Sequence, residues 1–207
     1  MGKIYVDAAI SLDGFIAGLN PGPANPMGEG GGQIHNWIYK QKAFREIQKI
    51  GGDGETGINN DLLIESLNRP GACIMGKTMF ITGEFNWPED APFHCPVYVL
   101  THEKREPWPR KGGTTFYFVN DGLYSALAQA KAVAGNKDIR ISGDANVIQQ
   151  FINEGLVDEM MIHVAPVVLG KGILLLENIN PNKTRFQIAE VFHSPEVTHI
   201  RYNLKKV

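Results

Sequence analysis

Three short clusters in this 207-residue chain place glycine, hydroxyl and basic side chains where apolar runs end: Gly76-Lys77-Thr78, Thr101-His102-Glu103-Lys104-Arg105 and Ser142-Gly143-Asp144. Each residue type meets phosphate in its own way. Glycine lets backbone come close, the N-terminus of a helix offers unpaired N–H groups, and Lys or Arg adds charge. In an open α/β sheet, ligands bind at the carboxyl ends of the strands, so the three clusters are placed to converge on one extended ligand. A dinucleotide bearing an adenosine 2′-phosphate asks for this combination: a helix start for its pyrophosphate and Lys, Arg, Thr or His groups for the extra phosphate. Two plainer readings stand beside it. Asp144 serves equally as the N-cap of a tight αβ connection, and Lys77 and Arg105 as solvated surface charges.

The elements that must position these clusters are legible from hydrophobic spacing. Residues 139–172 read as strand, tight turn, helix, strand: Ile139-Arg140-Ile141, then Ser142-Gly143, then a stripe of Val147, Ile148, Phe151 and Ile152, then the apolar run 160–168. Such a crossover joins parallel strands with right-handed topology and sets the helix N-terminus at the carboxyl end of the first strand. Further strands are expected over residues 3–10, 72–75, 96–101 and 114–119. One helix is expected after Asn59-Asn60-Asp61, ended by Arg69-Pro70-Gly71, and another carries Leu123, Ala126, Leu127, Ala130 and Ala134 up to Gly135. Alternation over residues 186–204 around Ser194-Pro195-Glu196 predicts an antiparallel hairpin. Residues 19–57, rich in glycine and proline, form a long loop insertion with a helical piece over 37–50, serving either as a lid or as a passive excursion. The sum is a single α/β domain over residues 1–207, a mostly parallel central sheet flanked by helices with a C-terminal antiparallel hairpin.

Composition narrows the function classes. Apolar residues make up 43% and charged residues 20% of the chain, and the formal charge of −2 supplies no basic excess for nucleic acid or acidic lipid. The start MGKIYVDAAI has no extended apolar signal region and no stretch approaches 18 apolar residues, so a cytoplasmic protein without membrane association is expected. Cys73 and Cys95 form no CxxC pair and no His cluster has ligand spacing, so no metal site is expected.

The motifs SLDGFIAG, IMGKTMF, VYVLT and ISGDANVIQQFINEGLVDEMMIHVAPVVLGKG, with the closing hairpin, resemble the dihydrofolate-reductase-like reductases. The likeness is strongest to the branch containing the reductase domain of the riboflavin-biosynthesis deaminase-reductase, in its stand-alone form. It implies a dihydrofolate-reductase-like three-layer fold that binds NADPH. Gly76, Lys77 and Thr78 would meet the adenosine phosphate side, and Thr101 with His102 the adenine and 2′-phosphate. Ser142, Gly143, Asp144, Ala145, Asn146 and Val147 would meet the pyrophosphate, with Ser142 standing where the family usually has a second glycine.

The reaction implied is hydride transfer to a pteridine-like or aminopyrimidine substrate, which also needs a proton donor. Asp61, near the position of the family's helix carboxylate, and Asp13, on the loop after the first strand, are the catalytic candidates, with Glu65 a third. Phe15 and Trp37 would wall a flat heterocycle. Arg69 would pair with a folate carboxylate, or Lys40, Lys42 and Arg45 with a ribose phosphate. The resemblance also implies a homodimer. A different reading is an NADP(H)-binding protein of this fold without turnover on these substrates.

Overall fold

The computed structural model describes residues 2–206. Nine strands form one sheet in the order β10-β11-β8-β1-β7-β3-β4-β6-β5. The chain builds it from the centre outward. β1 (Ile4–Ser11) leads through a short strand β2 (Phe15–Ala17), a 3-10 turn (Gly31–His35) and helices α1 (Asn36–Lys40), α2 (Lys42–Ile47) and α3 (Ile58–Asn68) to β3 (Pro70–Gly76). Then follow α4 (Lys77–Gly83), β4 (Pro96–Leu100), β5 (Trp108–Pro109), β6 (Thr115–Val119), α5 (Leu123–Ala134), β7 (Asp138–Ser142), α6 (Ala145–Asn153) and β8 (Glu159–Ala165). β9 (Ile173–Leu174) pairs with β2 in a separate two-stranded sheet, and β10 (Thr184–His193) with β11 (Thr198–Lys206) closes the chain.

β1 runs parallel to β7 and β8, and β3 runs parallel to β7 and β4. The five central strands are therefore oriented alike, as their near-continuous apolar character requires when both faces are covered. Even positions of β1 (Ile4, Val6, Ala8) pack with Ile139, Ile141, Ile148, Phe151 and Ile152 into the larger core, under α5 and α6. The opposite face carries Cys73, Met75, Phe80, Val97 and Phe116 on the α4 side. On its α1 side lie Ala9, Ile34 and Ala165.

The differences from the sequence reading are local. The helix expected over 37–50 is broken in two at Gln41, whose φ of −71° and ψ of 139° are extended. α3 starts at Ile58, earlier than the expected cap at Asp61, with Gly57 before it. The run 160–168 leaves the sheet at Ala165, before Pro166, which has no N–H for a ladder. The insertion is tied rather than structureless: Gly22 and Asn25 exchange backbone hydrogen bonds, and Asn86 after α4 donates to the Pro23 carbonyl. This strap follows β2 and reaches α4.

Candidate active site

The three clusters do come together. A cleft of about 310 Å3 at the carboxyl edge is lined by Gly76, Lys77 and Thr78 after β3, by Thr101 and His102 after β4, and by Asp144, Asn146 and Val147 at the start of α6. Close approach of strand ends requires Gly76, because a Cβ there would lie 2.1 Å from Asp144 Oδ2. At Gly143 the backbone is left-handed, φ +47°, and a Cβ would lie 2.3 Å from Met79 Sδ. Asp144 follows at φ +56° and accepts a hydrogen bond from the Asn146 N–H at 3.2 Å, so it is the N-cap that the plainer reading describes. It also lines the cleft. Ser142 and Ala145 are buried behind it, and the Ser142 hydroxyl has no partner.

Two cations of these clusters, Lys77 at the cleft and Arg105 outside its lining, are already paired. Lys77 Nζ lies 2.5 Å from Glu103, and Arg105 forms a two-point pair with Glu84 and lies over the Phe80 and Phe118 rings. A phosphate would displace Glu103 from Lys77, an exposed pair that holds weakly. Asn120 donates to the carbonyls of Thr101 and Glu103 and fixes the turn that presents His102. These groups suit a nucleotide with an extra phosphate; the N–H groups of α6 would take its pyrophosphate.

The two acids expected from the sequence are not over this cleft. The Asp13 carboxylate accepts from the backbone N–H groups of Leu169 at 3.2 Å and Gly170 at 2.7 Å, tying the β1–β2 loop to the β8–β9 loop. The Ser11 hydroxyl and then these two N–H groups hold its carboxyl below the usual range, which favours the ionised form over a proton donor. Asp61 is exposed, whereas Asn59, Asn60, Leu62 and Ser66 form the buried side of α3. Glu65 pairs with Arg201 at 2.9 Å.

Other residues named from the sequence already have partners within the fold. Trp37 is buried, its ring centroid 5.0 Å from that of His163 and 5.2 Å from that of His199, so it covers histidines rather than an open pocket. Phe15 is half-buried, its N–H donating to the Ser11 hydroxyl. Arg69 lies at the amino ends of the strands, bound to Asp138 at 2.6 Å and Glu159 at 2.5 Å, and is not free for a ligand carboxylate. Lys40 pairs with Glu196, and Arg45 donates to the Gly51 carbonyl. Lys42 faces a larger groove, about 640 Å3, between α2, α3 and Phe93-His94. That groove includes Pro70, the first residue of β3, and Lys137, which precedes β7, so it opens at the edge opposite the three clusters.

Sequence reasoning missed a polar chain across the face under Trp37. Asp7 Oδ1 lies 3.0 Å from His163 Nε2, His163 Nδ1 lies 2.6 Å from His199 Nδ1, and His199 Nε2 lies 3.0 Å from Asn59 Oδ1. Arg140 Nη2 donates to the Asp7 carbonyl at 3.4 Å and lies 3.9 Å from its carboxylate. Burial raises the Asp7 carboxyl, but His163 and Arg140 outweigh it and hold the group well below the usual carboxylate range. The available signal was a charged or imidazole side chain inside an apolar run, as in IYVDAAI, IRIS and MMIHVA; His199 stands in the mixed sequence THIRYN, which carries no such signal.

Comparison with known proteins agrees with this architecture. The RibD C-terminal domain matches residues 2–200. The uncharacterized protein YyaP of Bacillus subtilis (strain 168) is 28% identical over 176 residues, 82% of this chain and 78% of its own length. A crystal structure of a candidate riboflavin biosynthesis protein from Shewanella sp. PV-4 superimposes with a TM-score of 0.66 at 22% identity, covering 98% of this chain and 99% of that one. A dihydrofolate reductase from Enterococcus faecalis, complexed with NADP(H), superimposes with a TM-score of 0.56 at 13% identity, covering 98% and 96%. At these identities the structural likeness speaks for the fold.

Proposed function

The chain belongs to the RibD C-terminal domain family, and from that membership we propose that it is an NADPH-dependent reductase acting on a pteridine-like or aminopyrimidine substrate. The observation that carries the reading is the cleft that gathers Gly76, Lys77, Thr78, Thr101, His102, Asp144, Asn146 and Val147 around the start of α6. The family and the NADP(H) held by the Enterococcus faecalis reductase support it. Bound there, the cofactor supplies a hydride. The protein's part is to bind and orient it: Gly76 and Gly143 keep the backbone close, α6 offers its first N–H groups to the pyrophosphate, and Lys77 with His102 selects for the 2′-phosphate. NADPH oxidation followed against a panel of pteridines and aminouracils tests the reading. Tight binding without oxidation by any of them would favour the other reading, a nucleotide-binding protein without turnover on these substrates.

Asp144 sets a carboxylate on the cleft beside the pyrophosphate position. Asp144→Asn keeps a capping oxygen and removes the charge. It is expected to tighten NADPH binding about three- to fivefold, the size of a solvent-screened interaction of about 0.7–1 kcal/mol, in a fluorescence titration. Unchanged or weaker binding would mean that the pyrophosphate lies elsewhere.

The proposal extends to assembly. β10 is the edge of the large sheet, and Phe186, Ile188 and Val191 on it are exposed, an apolar edge that a second copy would cover. A homodimer of twice 22.8 kDa is expected by sizing with light scattering, and Ile188→Lys with Val191→Lys should yield the monomer. A monomeric native chain would refute it.

A further inference from the structure

The polar chain under Trp37 has a proton count that its hydrogen bonds fix. A carboxylate only accepts, so the contact with Asp7 requires a proton on His163 Nε2. The amide oxygen of Asn59 only accepts, so His199 Nε2 carries a second. The facing Nδ1 atoms, 2.6 Å apart, share a third. Three protons on two imidazoles leave one positive charge, and Asp7 balances it. Burial, then the charge of His163, holds His199 down to about 4 and His35 likewise to about 4, so both are neutral neighbours. The remaining charged group facing the chain is Arg140 on β7; Trp37 on α1 and Asn59 with Ser66 on α3 complete the surroundings.

The chain ends at the ligand edge. β1 pairs with β7 only as far as Val6 and Ile141, while its pairing with β8 continues to Ser11 and Ala165. Asp7 is therefore the first residue of β1 past its pairing with β7, level with Ser142, the last residue of β7 before the turn at Gly143. Buried polar atoms of the residues beside this chain lack partners: Arg140 Nε, Ser142 Oγ and, against His163, Trp37 Nε1 make no hydrogen bond. Such a group of orphans marks a place where a polar ligand completes the bonding.

We infer that Asp7, His163 and His199 are a buried proton store serving a heterocycle bound beside the turn at Gly143: Asp7 meets the ring, and the proton behind it on His163 is the one the reduced ring takes up. This rests on the reductase reading. When hydride adds to the carbon of a ring C=N bond, the electron pair of that π bond passes to nitrogen. The nitrogen takes a proton through the Asp7 carboxylate, His163 Nε2 gives up its own to Asp7, and solvent later restores it. Charge and protons balance without Asp13 or Asp61.

Nitrogen-15 histidine spectra of the full ligand-free chain at pH 7 and 8 test the store, with His163→Gln used for assignment. The expected result is one imidazole protonated on both nitrogens at both pH values, lost in Asp7→Asn. Single protonation of both His163 and His199 in the native chain would overturn the inference, whatever the variants do. The outcome separates from the parent reading: a doubly protonated His163 in a chain that binds no NADPH leaves the store and removes its reductase role. A singly protonated pair in a chain that binds NADPH tightly removes the store alone.

Discussion

Gly143→Val is expected to weaken NADPH binding by about a hundredfold or more, equivalent to about 2.7 kcal/mol, while the domain still melts cooperatively. Gly143 and Asp144 are consecutive left-handed residues, φ +47° and +56°. A β-branched side chain at the first costs at least about 1–2 kcal/mol in that region, and its Cβ would start 2.3 Å from Met79 Sδ. The methionine can swing aside; the backbone strain is relieved only by turning the peptide, which carries the first N–H groups of α6 away from the cleft. A fluorescence titration checks this, and native affinity in the variant would show that the turn does not touch the nucleotide.

Glu159→Ala is expected to remove about 3 kcal/mol of stability, the lower end of the range for breaking a buried ion pair. Melting should fall by about 6–12 °C. Glu159 is 3% exposed and lies 2.8 Å from Lys3, 2.5 Å from Arg69 and 3.4 Å from Arg201, at the amino end of β8. Arg69 and Arg201 keep other carboxylates, Asp138, Glu65 and Glu190, which limits the loss. Burial raises the Glu159 carboxyl, but the hydrogen bonds from Arg69 and Lys3 prevail and hold it below its ordinary value of 4.5. A depressed folded value stabilises above the unfolded value and loses that contribution as pH falls through the folded one. Chemical denaturation should therefore show constant stability from this group down to about pH 5 and a decline below about pH 4, shallower in the variant. An equal slope in both would place the acid sensitivity elsewhere.

Much of this architecture was legible because it rests on periodicity. The apolar runs of β1, β3, β4, β6, β7 and β8 mark buried parallel strands, and the stripe on α6 marks a helix packed on them. The strands β2, β5 and β9 are two or three residues long, too short to repeat any pattern. The convergence of the three clusters was legible as well, since Gly76, Thr101 and Ser142 close recognisable strands. The acids were not, because a sequence fixes which face a residue occupies only once register is known. Asp13 and Asp61 carry the signals of loop and helix start, and both turn out to serve or leave those places. Asp7, Arg140, His163 and His199 alternate correctly within their strands, yet only the order β11-β8-β1-β7 brings them side by side. Arg69 illustrates the same limit: its charge was evident, and its three-dimensional partners Asp138 and Glu159 lie 69 and 90 residues away.

Titration of the purified chain with NADPH and with NADH, followed by nicotinamide fluorescence, decides whether the edge formed by the three clusters is an NADPH site. Saturable binding of NADPH with NADH markedly weaker is expected, and Lys77→Ala should narrow the gap between them. Binding of neither nucleotide would contradict the account, and equal binding of both would remove Lys77 and His102 from it.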